Sequence, residues 1–204
     1  MKKILLVVAA LFITYFSQAQ GIKLGLKAGG NYSNVTGDET EDLESLFGLH
    51  AGVILDYGIS EMVSIRPELL YSMKGAKLEI SDADDAIIKS RFHYLDVPIL
   101  AHINAGGLFF ELGPTVGFKL SSSTTIEVDG EEIDEEEFGI SDGDDGMKNF
   151  EIGYAAGLGY QLPMGVGIGL RYQGGISSIN ENDDDPKQRN SVFQLSLSYM
   201  FGGR

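Results

Sequence analysis

The last stretch of the chain, Ser191–Phe201, alternates without a break. Phe193, Leu195, Leu197, Tyr199 and Phe201 fall on one face of an extended strand, and Gln194, Ser196, Ser198 and Met200 on the other. Period-two alternation of this length predicts a strand whose two faces meet unlike surroundings. Seven further segments repeat the pattern: Ile22–Ser33, Phe47–Gly58, Val63–Lys74, His93–Asn104, Leu108–Leu120, Phe150–Leu162 and Val166–Ser177. Each is long enough for the ~9–11 residues with which a tilted strand crosses a bilayer.

Alternation alone fits a soluble sandwich as well as a membrane barrel. The apolar faces of these segments carry no Asp, Glu, Lys or Arg. Lys or Arg facing lipid near the midplane costs about 2–4 kcal/mol, so a lipid-facing surface excludes them. The opposite faces include glycine runs such as Gly167 and Gly169, poorer in charge than a sheet facing bulk water would be. The expected fold is therefore all-β: an eight-stranded antiparallel up-and-down transmembrane β-barrel, with the even strand count of bacterial barrels. Pro67 and Pro114 occupy lipid-facing positions and Pro98 lies in the fourth strand. Proline cannot donate to a ladder and a closed barrel has no edge, so local bulges are expected there.

The connections alternate in length. Short turns fall at Ile59–Met62, Ala105–Gly107 and Pro163–Gly165, and long segments at Asn34–Leu46, Gly75–Phe92, Ser121–Asn149 and Ser178–Asn190. Outer-membrane barrels keep short turns on the periplasmic side and longer loops outside. Both termini would then be periplasmic. The long segments hold 24 of the 30 Asp and Glu residues, so the net charge of −15 belongs to the loops. Such acidity argues against nucleic acid as a partner. The densest run, Glu127–Asp145, is expected to be a solvated loop. Asp142-Gly143-Asp144-Asp145-Gly146 offers oxygen ligands for a divalent cation but fails the EF-hand spacing, a weak signal.

The N-terminus carries the marks of a secretory signal. Lys2 and Lys3 precede the 13-residue run Ile4–Phe16, whose one polar member is Thr14, and Ser17-Gln18-Ala19 supplies small residues at the cleavage positions. Residues 1–19 are expected to be a signal peptide and 20–204 the outer-membrane barrel domain. Loss of Lys2 and Lys3 takes the charge from −15 to −17. Cysteine is absent, which rules out disulfides, thiolate metal sites and a lipid-modified cysteine.

The polar faces hold the candidate site. Lys23, Lys27, Arg66, Lys74, Lys119 and Arg171 stand against Asp56, Glu68, Asp96, Glu111 and Glu151, with His50 and His102 among them. An eight-stranded barrel is just wide enough for its side chains to fill. Charges in so narrow a space must pair, because an unpaired buried charge is costly. Arg66, Glu68, Asp96, His102, Glu111, Glu151 and Arg171 are expected to form a structural ionic network that plugs the lumen; a conducting pore is the competing reading. No nucleophile elbow, HExxH pair or phosphate loop is present, so neither enzymatic activity nor a cofactor is expected.

Three segments carry a family likeness. Ser64-Ile65-Arg66-Pro67-Glu68-Leu69-Leu70-Tyr71, Tyr94-Leu95-Asp96-Val97-Pro98-Ile99-Leu100 and Leu112-Gly113-Pro114, with the Ala19-Gln20 junction, resemble the PorT-like outer-membrane β-barrel family of Bacteroidota. Asp96 stands where that family often has Glu. The resemblance implies a small barrel in outer-membrane lipid and, from the family's namesake, a role supporting protein secretion with a periplasmic or secretion-machinery partner. Two functions stay open: a structural or interaction barrel, and a barrel that binds or transports a small solute.

Overall fold

The computed structural model describes residues 22–80, 86–128, 131–133, 147–181 and 185–201. The expected signal peptide, residues 1–19, lies outside them, as does the Asp142–Gly146 run. The strands are β1 (Ile22–Gly37), β2 (Leu43–Gly58), β3 (Val63–Ile80), β4 (Ala86–Ala105), β5 (Leu108–Val128), β6 (Glu131–Ile133), β7 (Phe150–Gln161), β8 (Val166–Gly175) and β9 (Gln188–Met200). Eight of them form a ring in the order β4-β3-β2-β1-β9-β8-β7-β5, closed by pairing of β4 with β5. Every ladder is antiparallel. The ninth strand, β6, is a three-residue segment that pairs with the far end of β5 and stands outside the ring.

Alternation places the apolar side chains outward, where Phe47, Leu112, Leu170, Phe193 and Leu197 are each about 60% exposed or more. A surface with this much contiguous apolar area needs lipid rather than water against it. Two aromatic belts bound it. Tyr32, Phe47, Tyr71, Phe118, Phe150, Tyr172 and Phe193 lie toward the long connections, and Tyr57, Phe110, Tyr160, Tyr199 and Phe201 toward the short turns. On β2 the belts stand ten residues apart, from Phe47 to Tyr57. At a rise of ~3.3 Å and a tilt of ~40° that is about 25 Å of height, the thickness of a barrel's apolar band.

Beyond the upper belt the strands depart from the expected boundaries. β3 runs to Ile80 rather than Lys74, β4 begins at Ala86 rather than His93, and β5 continues to Val128 rather than Leu120. Most of the expected loop between β3 and β4, and the start of the one after β5, is thus an extension of the barrel wall. Once both faces of a hairpin meet water, nothing enforces alternation, and the strand loses its sequence signature. The short turns fall as expected. Ala105 and Leu108 are joined by Gly106 and Gly107 at φ +69° and +104°, the left-handed geometry a two-residue hairpin loop requires.

The prolines do not make bulges. The register shifts occur between Ser45 and His50 and between His93 and Tyr94. Instead each proline removes two adjacent pairs from one ladder and leaves the register unchanged. The Leu55–Pro67 pair is missing between β2 and β3, Glu68–Pro98 between β3 and β4, and Ile99–Pro114 between β4 and β5. A proline lacks one N–H, so the ladder opens locally; no extra residue has to be accommodated. The three gaps lie side by side across consecutive ladders.

Candidate functional site

Inward side chains fill the barrel in layers. Toward the short turns, Arg66 on β3 donates from Nε and Nη2 to Asp56 Oδ2 on β2, at 2.8 and 2.6 Å, and Ser64 Oγ donates to the same oxygen at 3.0 Å. In the middle layer Glu68 on β3 accepts from Lys27 Nζ at 2.7 Å and from both terminal nitrogens of Arg171 at 2.7 and 2.9 Å. Arg171 Nε donates to Glu111 Oε1 at 2.7 Å, and Glu111 Oε2 lies 3.8 Å from His102 Nδ1. In the ring of eight, β3 and β8 stand opposite each other. The Glu68–Arg171 fork therefore crosses the lumen from wall to wall.

The layer above is built around Lys74. Its ammonium donates to Asp96 Oδ1 at 2.9 Å and to Glu151 Oε1 at 2.5 Å, and it lies 4.4 Å from the centroid of the Tyr94 ring. Glu151 Oε2 accepts from Asn190 Nδ2 at 2.6 Å. Lys74, Asp96, Glu68, Glu111, Glu151 and Arg171 are all buried. Charge-assisted bonds of this kind are what permit ionised groups to stay inside.

The seven residues expected from sequence all lie in the lumen, but not as one network. Arg66 belongs to the short-turn layer, Glu68, Glu111, His102 and Arg171 to the middle layer, and Asp96 and Glu151 to the Lys74 layer. Lys27 and Lys74 prove to be central partners. Their positions on the polar faces pointed inward; which acids they meet depends on the stagger of the closed sheet, which the sequence does not display.

His50 is bonded to neutral groups rather than to charges. Its Nδ1 is 2.7 Å from Asn31 Oδ1 and its Nε2 2.9 Å from Ser196 Oγ. Asn31 in turn donates to Ser72 Oγ and accepts from Gln194 Nε2, both at 3.0 Å. Serine, histidine and asparagine here stand in the order of a nucleophile, base and orienting group. Ser196 is only 6% exposed, however, and the Asn31 oxygen is shared with Gln194. The described cavities do not adjoin Ser196. What the arrangement does chemically is link buried polar groups on four neighbouring strands, β1, β2, β3 and β9.

Apolar side chains also point inward. Ile54, Leu70 and Leu100 are fully buried, with Phe109 and Val192 nearly so. At the long-connection end Val35, Ala76 and Ile179 form a buried cluster, with Leu43 and Met147 against it. Ile179 is held there by bonds from its N–H to the Gln188 carbonyl and from the Lys148 N–H to its own carbonyl, at 2.8 and 2.7 Å. At the short-turn end a cavity of about 310 Å³ opens between Lys23, Ser64, Arg66, His102, Gln161 and Met200.

Residues 16–181 match the family model described as "Outer membrane protein beta-barrel domain". The chain belongs to this outer-membrane β-barrel family. It is accordingly an outer-membrane protein that sits in the lipid bilayer. Among solved structures it is similar to Neisserial surface protein A (12% identity, 89% of this chain and 100% of that one, TM-score 0.52). It is also similar to Ail, the attachment invasion locus protein of Yersinia pestis (15% identity, 90% of this chain and 100% of that one, TM-score 0.48). At such identities the likeness to the Neisserial protein speaks for the fold alone. No curated protein matches the chain.

Proposed function

We propose that this outer-membrane barrel does not conduct and acts through its two ends as a structural or interaction protein. The Glu68–Arg171 fork between opposite walls carries this reading, because it sets a desolvated ion pair across the path a solute would take. The apolar cluster of Val35, Ala76 and Ile179 supports it at the long-connection end. The alternation of short turns and long connections favours placing the short turns in the periplasm and the acidic segments outside. Export through a cleaved signal peptide at residues 1–19 belongs to the same proposal. So does membership of the PorT-like branch of Bacteroidota, with support of protein secretion through a periplasmic partner.

Planar-bilayer recording of the refolded protein tests the proposal. Negligible conductance is expected. Steady, charge-selective currents that change in Arg171→Ala would overturn it in favour of a solute path. That second reading, a barrel that binds or transports a small solute, draws on the 310 Å³ cavity at the short-turn end. A blind cavity is equally compatible with a barrel that does not conduct.

A further inference from the structure

The outer wall is not uniformly covered. Across β1, β9, β8 and β7 runs an apolar groove of about 570 Å³. Its origin is in the register. Tyr32, Phe193, Tyr172 and Ala156 are successive cross-strand partners in one row, and Gly30, Leu195, Leu170 and Leu158 in the next. Gly30 and Ala156 leave space where the neighbouring positions carry large side chains. At Gly30 the Phe47 ring lies over the backbone, 3.0 Å from where a Cβ would sit, and closes that end of the groove. The groove lies within the apolar band, so the molecule that covers it in the membrane is an acyl chain.

The upper lip of the groove is polar. Tyr172 Oη accepts from Ser191 Oγ at 3.2 Å. Arg189 precedes Phe193 by four residues on the same outward face of β9, about 13 Å back along the strand toward the long connection and above the aromatic belt. One of its N–H donors, Nε, goes to the Ile176 carbonyl at 3.0 Å. Lys187 lies beyond it and is exposed. Among the described residues neither cation is ion-paired, whereas Lys77 and Lys89 on the facing wall are held by Glu44, Glu79 and Glu127. Asp38 meets Lys187 through the backbone, its Oδ2 accepting from the Lys187 N–H at 3.1 Å. In a chain of net charge −15 this puts positive charge at the headgroup level above the apolar groove.

We propose that this wall is a binding site for an anionic, phosphate-bearing membrane lipid. One acyl chain lies in the groove and the headgroup phosphate meets Arg189, with Lys187 in support. The proposal rests on residence in the membrane and not on whether the lumen conducts.

Native mass spectrometry of detergent-purified protein, mixed with phosphatidylglycerol or phosphatidylcholine, tests it. The wild type should retain phosphatidylglycerol several-fold better. Ala156→Leu adds bulk on the lipid side without touching the lumen, and should lower retention of both lipids. Arg189→Glu and the milder Arg189→Gln should remove only the preference for the anionic lipid. Ala101→Leu, on the opposite wall, should change neither. Unchanged retention in Ala156→Leu would remove the groove from the proposal, and an unchanged lipid preference in both Arg189 variants would remove the headgroup contact. Equal loss in Ala101→Leu would reduce the effect to ordinary annular lipid.

Discussion

At the scale of single residues, Glu68 is the acid that ties two walls of the lumen to a third. It faces two cations on different walls, Lys27 at 2.7 Å and Arg171 at 2.7 and 2.9 Å, and its own side chain is completely buried. Glu68→Gln keeps the shape and removes the charge, which leaves one anion, Glu111, for two buried cations. Removing one partner of a buried pair costs about 3–5 kcal/mol, because the survivor cannot return to water. Urea unfolding in lipid vesicles should register a loss of that order. Pairing Glu68→Gln with Lys27→Met should recover part of it, since the second change removes the stranded charge. Strict additivity in this cycle would show that the two groups do not interact. Asn31 plays the same part for the neutral layer. Asn31→Ala strands His50 and Gln194 together and should destabilise the barrel by about 1–3 kcal/mol for each group left without its bond.

At the scale of strands, the outward face should sense depth. Leu197 lies on the outer wall between the belts, and Ile176, also outward, stands past the end of β8. Leu197→Arg should cost about 2–4 kcal/mol and Ile176→Arg about 0–1, as lipid gives way to water. Equal yields of folded protein from the two variants would refute the face and belt assignments. The strands themselves were legible because lipid outside and a packed lumen inside force each residue to one side, so that apolar and polar residues alternate strictly from Phe193 to Tyr199. The inward apolar residues were not. Val53-Ile54-Leu55, Leu69-Leu70 and Ile99-Leu100 are unbroken apolar runs, and only the register shows that Ile54, Leu70 and Leu100 are the members facing in. The prolines misled for a related reason. A missing donor can be met by a bulge or by a gap, and the choice depends on the neighbouring strands rather than on the proline. A lumen position was also less permissive than its polar character suggests. Ser196 points inward, but its bond to His50 and its burial leave no room for a long side chain.

At the scale of the molecule, the two ends differ in build. The wall made by β3, β4 and β5 rises above the upper belt, with β5 running ten residues past Phe118, whereas β7 starts opposite that residue. The raised part carries paired charges of both signs, Lys77 with Glu44 and Glu79, and Lys89 with Glu127. The other end consists of turns only a few residues long. Exposed glutamates mark both ends: Glu39, Glu41 and Glu181 beside the long connections, and Glu61 in the first short turn. A glutamate-specific protease applied to intact cells should therefore cut at the first three sites and leave the β2–β3 turn whole. Opening the outer membrane should then expose Glu61. The reverse order, with Glu61 cut first in intact cells, would invert the barrel and move the acidic segments into the periplasm. It would also turn the 310 Å³ cavity toward the exterior, where a periplasmic partner could not reach it. The fork across the lumen would be unaffected by such an inversion, so conductance and topology test separate parts of the proposed function.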